Sequence, residues 1–212
     1  MRRIGQYVLA AGLAVGCFSS ASAQNFQGRL ANGTPSNTCT ALGANMCAMF
    51  FNPTLNITIL NNWNIGQGPW YGTGGAGSAQ ALAESAGLAA SGLTGWVLPS
   101  GDGIQPAGTQ NQYLSIWNQV GASFAGLSIQ FSGVQADYYW SGSEDATNSF
   151  NAWYFGTVVG YQNVISKSIF NTLYAVAVRP GDVASAVPEP QSYGLLLAGL
   201  GLLAVAVRRR SR

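Results

Sequence analysis

The chain has 212 residues, of which 28 are glycine, only 8% are charged and none is histidine. Without an imidazole there is no Ser-His or Cys-His nucleophile pair and no histidine metal ligand. Six of the nine basic residues (Arg2, Arg3, Arg208, Arg209, Arg210 and Arg212) stand at the two ends; between Gln24 and Val187, Arg29, Lys167 and Arg179 face Glu84, Asp102, Asp137, Glu144, Asp145 and Asp182, a net charge of −3 with no basic footprint for nucleic acid.

The first residues read MRRIGQYVLAAGLAVGCFSSASAQ. Two arginines, an apolar run from about Tyr7 to Phe18 and the small-residue site Ala21-Ser22-Ala23 have the form of a secretory signal peptide over residues 1–23. Signal peptidase is the expected partner, and Gln24 the first residue of the exported chain. Cys17 after Ala14-Val15-Gly16 makes a poor lipoprotein signal, because leucine is missing three residues before the cysteine.

Residues 24–47 are rich in Gly, Asn, Thr and Ser and carry no sustained apolar period, so they are expected to form an irregular lead-in. Once Cys17 leaves with the signal peptide, Cys39 and Cys47 remain as an even pair in an oxidising compartment, and a short-loop disulfide is expected. In FFNPTLNITILNNWN, Leu55, Ile57 and Ile59 alternate and predict a strand. Gly66 to Gly77, with Trp70-Tyr71 inside it, predicts a loop.

An alanine-rich helix is predicted to about Ala90, with Ser78 as N-cap and Gly92 just past its end. Thr109-Gln110-Asn111-Gln112 has the form of a capping box, and Tyr113, Trp117, Val120 and Phe124 then fall on one face of a second helix. From Leu127 onward strands are predicted: a first at Tyr138-Tyr139-Trp140, a hairpin of 151–159 and 161–167 about Gly160, and a closing strand from Leu173 to Arg179. In the first hairpin arm Ala152 and Tyr154 alternate with Trp153 and Phe155, so both faces are apolar and the sheet is expected to be covered on each side. Two helices packed on antiparallel strands make an α+β domain.

At the far end Val187-Pro188-Glu189-Pro190 precedes an apolar run over residues 194–207, which Arg208-Arg209-Arg210 stops. The run is shorter than the ~20 residues that comfortably span a bilayer, and its arginines would be retained on the cytoplasmic side, so a transient membrane helix is expected. Residues 187–212 resemble the PEP-CTERM sorting signal of Gram-negative bacteria that make exopolysaccharide. The resemblance implies processing near Pro188-Glu189-Pro190 by an exosortase, a membrane cysteine transpeptidase, with Arg208, Arg209 and Arg210 as the stop, and delivery to the envelope surface or extracellular matrix.

The domain carries a second resemblance. MFFNPTLNITIL, the alanine-rich helix, GWVLP, YWSGSE, AWYFGTVVGY and AVAVRPGDV follow in the order of the Lcl C-terminal domain (DUF1566) over residues 48–183. That family resembles the C-type-lectin-like fold, and the implied activity is binding without catalysis. Val97 stands where the family often has Arg, and Gly142 where it has Ser.

Trp96, Trp140 and Trp153 are expected in the core, and Glu144 with Arg179 in a buried polar link. Asp137, Glu144 and Asp145 are the carboxylates available to a glycoside hydrolase, or with Ser143 and Asn148 to calcium. A D-x-D-x-D-G loop is absent, so no metal site is assigned and no cofactor is expected. Trp63, Trp70 and Tyr71 in the long loops are the candidate sugar platform, since an aromatic face stacks on sugar C–H groups. The leading reading is an exported surface or matrix protein that binds glycan or another envelope component without catalysis. A purely structural matrix component and a carboxylate-dependent hydrolase are the alternatives. Exposed clustered aromatics favour the first, buried ones the second, and two converging carboxylates the third.

Overall fold

The computed structural model describes residues 26–71 and 77–186. The expected signal peptide, with Ala21 and Ala23, and the tail carrying Pro188, Glu189, Pro190, Arg208, Arg209 and Arg210 lie outside the described residues. Among the described residues no helix is long and apolar enough to cross a membrane.

Strands β1 (Gln27–Arg29), β2 (Met49–Asn52), β3 (Ile57–Leu60) and β9 (Val178–Pro180) form an antiparallel sheet in the order β1-β2-β3-β9. A second sheet has the order β4-β8-β5-β6-β7, built from β4 (Gln67–Gly68), β5 (Tyr138–Glu144), β6 (Asn151–Gly156), β7 (Tyr161–Ser166) and β8 (Leu173–Tyr174). Its pairings are antiparallel except for β5 with β8, which run parallel at Tyr139↔Tyr174. The helices are α1 (Ala79–Ser91), α2 (Gln112–Gln119) and α3 (Phe124–Gln130), and a 3-10 turn spans Val183–Ala186.

The two-residue period of the strands sorts side chains to two cores. Phe50, Ile59, Tyr139, Phe155, Val176 and Val178 meet Tyr113, Ile116 and Trp117 of α2 and Leu127 of α3. Met49, Leu60, Trp140, Ala152, Ala175 and Ala177 meet Ala79 and Ala83 of α1. The central strands are therefore covered on both sides, as the two apolar faces of β6 predicted, while β7, with no buried residue, leaves the outer edge of the second sheet open.

Helix α1 begins and ends where its caps place it. Ser78 Oγ accepts from Ala81 N (3.1 Å), and Gly92 adopts a left-handed φ of 72° while its N–H donates to Leu88 O. Alanines let the helix lie close against the small residues of the opposing strands, and Gly87 takes this furthest. A Cβ at Gly87 would lie 2.1 Å from the Trp96 ring. Alanine is favoured over glycine by about 1 kcal/mol in a helix interior, but overpacking here costs about 1–3 kcal/mol. Gly87→Ala is therefore expected to lower stability by up to about 2 kcal/mol, read as an earlier midpoint in chemical unfolding.

Several elements differ from the sequence-based expectation, among them the closing strand expected over residues 173–179, which is two short strands in different sheets, β8 and β9. The predicted strand around Leu55 is a hairpin: Asn52 Oδ1 accepts from Leu55 N (3.0 Å), Asn56 takes φ 50°, and the chain reverses between β2 and β3. The second helix is capped by Asn111, whose Oδ1 accepts from Leu114 N (3.1 Å), rather than by Thr109. It stops at Gln119, because Gly121 (φ 88°) and Ala122 (φ 49°) turn the chain left-handed. Ser123 then caps α3 through Gly126 N (3.0 Å), so the stretch from Leu127 that was expected as strand completes a third helix. Phe124 opens α3 instead of continuing the Tyr113-Trp117 face. The lead-in over residues 24–47 likewise contributes β1.

Candidate functional site

Cys39 and Cys47 are joined by a disulfide, with Cα atoms 5.0 Å apart. Gly28 of β1 makes room for it: a Cβ there would lie 2.6 Å from both sulfurs. The bridge thus ties the lead-in onto the edge of the first sheet.

The proposed sugar platform is not assembled as the sequence reading expected. Trp63 is fully buried, stacked on Phe131 with centroids 4.9 Å apart and edge-on to Tyr113 and Tyr139. Trp70 is 6% exposed: its indole N–H donates to Ser141 O (2.6 Å), and Lys167 Nζ lies 4.7 Å from its ring centroid. Trp140 answers by donating to Gly68 O (2.9 Å), so the two indoles lace the loop to β5. The cause is β4, which pairs with β8 and pulls the glycine-rich segment onto the sheet. Of the three aromatics only Tyr71, 67% exposed, remains at the surface.

Trp96 and Trp140 are core residues and Trp153 is half-buried. Glu144 and Arg179 do not meet. Lys167 Nζ donates to Glu144 Oε1 (2.8 Å) at the surface, and Arg179 Nε donates to Thr94 O (2.9 Å). The buried ion pair is instead Arg29 with Asp182, a two-pronged contact of 2.8 and 2.6 Å. Its partners stand 153 residues apart, and no local pattern announces them.

The carboxylates considered for chemistry are also separately engaged. Asp145 Oδ1 accepts from the Thr147 hydroxyl (2.7 Å) and the Thr147 N–H (2.9 Å), contacts that hold its carboxyl below the usual range. Asp137 Oδ1 accepts from Tyr138 N (2.8 Å). Among the described residues no three His, Cys, Asp or Glu side chains gather as a metal site would need. The buried phenols are structural donors: the Tyr113 hydroxyl donates to Trp140 O (3.1 Å) and the Tyr139 hydroxyl to Trp63 O (3.1 Å), and burial pushes both well above the ordinary tyrosine value.

An open groove of about 560 Å³ lies beside the first turns of α1. Tyr71, Gln80, Glu84, Val97, Ser100 and Gly142 line it, with Trp96 at its base. One wall is the Val97–Ser100 segment, held to β5 by Gly142 N donating to Pro99 O (2.8 Å). A Cβ at Gly142 would sit 2.8 Å from Leu98 O, so the close approach of the two segments requires glycine there.

Past Asp182 the chain is anchored once more. Thr58 Oγ1 donates to Gly181 O (2.8 Å) and accepts from Val183 N (3.2 Å), and the Val183 side chain is fully buried. The 3-10 turn ends at Ala186. Residues 186–210 match the PEP-CTERM protein-sorting motif. The PEP-CTERM match takes in Pro188, Glu189, Pro190, Arg208, Arg209 and Arg210. The PEP-CTERM signal marks an exported, exosortase-sorted protein that is processed at the membrane and sent to the cell surface. No curated protein matches the chain.

Proposed function

We propose that the folded domain is a non-catalytic, C-type-lectin-like module that binds a glycan or another envelope component, while the PEP-CTERM tail delivers it to the outer surface or the exopolysaccharide matrix. The observation that carries the reading is the groove beside α1. It offers one exposed aromatic face, Tyr71, together with the hydrogen-bonding groups of Gln80 and Glu84, while the Ser100 hydroxyl on the wall is engaged by Thr109 O and Gln112 N. An aromatic body beside amide and carboxylate groups suits a sugar ring, whose faces are apolar and whose edge is polar. Among the described residues Glu84 is the sole carboxylate lining the groove, whereas glycoside cleavage uses two on opposite sides of the scissile bond. That supports binding over hydrolysis.

The burial of Trp63 and Trp70 favours a second reading, a structural matrix component that works by self-association. A binding panel of neutral and acidic oligosaccharides, run on the intact chain with and without calcium, separates the two. Binding in both conditions, weakened about threefold to tenfold by Tyr71→Ala, is the expected result. Release of reducing ends would return the hydrolase reading. Absence of any sugar binding by the folded chain would leave the structural one.

A further inference from the structure

Two half-exposed tyrosines face each other across the outer part of the five-stranded sheet. The register sets Tyr138 of β5 opposite Gly156 of β6, and Gly156 opposite Tyr161 of β7, so the three residues form one row across the strands. Neighbouring strands lie about 4.8 Å apart, which puts the two tyrosine backbones about 10 Å from each other with glycine between. Tyr154, on the same face of β6, packs edge-to-face against both, its centroid 5.0 Å from Tyr138 and 6.3 Å from Tyr161. Glycine keeps the floor low: a Cβ at Gly156 would meet the Tyr138 ring at 3.1 Å. Asp137, Val158 and Val159 complete a recess of about 180 Å³. Asn163 Nδ2 donates to the Tyr161 hydroxyl, and Tyr138 N donates to Asp137 Oδ1, so one wall and the rim carboxylate are held in place.

The chemistry of this recess selects its occupant. Its volume falls below the roughly 300–1,000 Å³ of sites that enclose drug-sized ligands, so it suits one ring and not an extended segment. The walls are tyrosine rings and valine side chains, while phenol hydroxyls and a carboxylate sit at the edge, an apolar body with a polar rim. The one charged side chain in the lining is Asp137, which repels uronate and sulfated sugars. None of the lining residues belongs to the groove beside α1.

We propose that the recess between Tyr138 and Tyr161, floored by Gly156, is a subsite for one uncharged sugar ring of an envelope polysaccharide. The proposal rests on the glycan-binding reading above and adds a second, separate point of contact. Titration calorimetry on the intact chain in detergent micelles tests it, with cello-, malto- and xylo-oligosaccharides against oligogalacturonides as probes. Expected is binding of a neutral series in preference to the uronates, weakened about threefold to tenfold by Tyr138→Ala and by Tyr161→Ala. Both variants change half-exposed side chains that pack on Tyr154 and are expected to lower the unfolding midpoint by only a few degrees, so binding is read well below it. Binding that falls in Tyr71→Ala but stays unchanged in both tyrosine-row variants would overturn the subsite and leave the glycan reading standing. Binding of no sugar at all would sink both. Tighter binding of the uronates, or a self-association that Tyr161→Ala abolishes, would also overturn it, the latter by making this face a contact between copies.

Discussion

Trp63→Ala is expected to lower domain stability by about 3–5 kcal/mol, which for a domain of this size shifts the thermal midpoint by roughly 10 °C or more. The indole is fully buried at the meeting point of Phe131, Tyr113 and Tyr139, and its removal opens a cavity that three packed rings cannot collapse into. The backbone around it is fixed as well: Trp63 N donates to Ser132 O (2.8 Å) and Trp63 O accepts the Tyr139 hydroxyl. Trp63→Phe is expected to cost much less, because the indole N–H has no acceptor among the described residues and only ring volume is lost. Near-UV circular dichroism through a thermal ramp reads both. A midpoint unchanged in Trp63→Ala would contradict the packing described here. The same result has a practical side: loss of sugar binding in a Trp63 variant reports unfolding and not a removed contact.

Asp182→Ala is expected to cost about 3 kcal/mol, the lower end of the range for breaking a buried ion pair, because the Asp182 side chain keeps 17% exposure while that of Arg29 keeps 5%. Removing the carboxylate strands a buried guanidinium whose other contacts are Gly28 O (2.9 Å) and Gln27 Oε1 (3.1 Å). The pair also carries a pH signature. Partial burial alone raises the Asp182 carboxyl, but the Arg29 hydrogen bond, the Ala184 N–H and the Arg29 charge outweigh it and hold the group below its ordinary value. A folded-state value depressed below the unfolded one, about 3.9, gives stability that is complete above that value and is lost as pH falls through the folded one. Arg29 stays charged throughout. Wild type and Asp182→Asn are therefore expected to differ most near neutrality and to converge below about pH 4. A gap that persists undiminished in acid would refute the assignment of this stability to the ionised carboxylate.

What the sequence disclosed and what it withheld divide along the range of the interactions involved. Helix α1 was legible because Ser78, the alanines and Gly92 are local instructions, and the β6–β7 hairpin because Gly160 sits between two apolar arms. Pro53 and Asn56 were equally local, yet the alternation of Leu55, Ile57 and Ile59 masked the hairpin they make, since Leu55 is buried in the turn itself. The break between α2 and α3 depends on Ala122 taking a left-handed φ, which no propensity announces. The aromatic platform was misplaced for a related reason. Composition marked Trp63 and Trp70 as residues of a long loop, but the fate of that loop is decided by β8, more than a hundred residues away. The Tyr138–Gly156–Tyr161 row is a product of strand register, and three letters so far apart in the chain carry no shared period to betray it.

The buried Val183 has a consequence for the tail that follows. Among the described residues it is the last buried side chain, so the chain length to the sorting motif is counted from there. An extended chain advances at most about 3.6 Å per residue, which gives no more than about 21 Å from Val183 to Glu189 and about 40 Å to the start of the apolar run at Gly194. The PEP-CTERM motif thus begins within a few residues of a clamped position, and Pro188-Glu189-Pro190 stands no more than about 25 Å of chain from it.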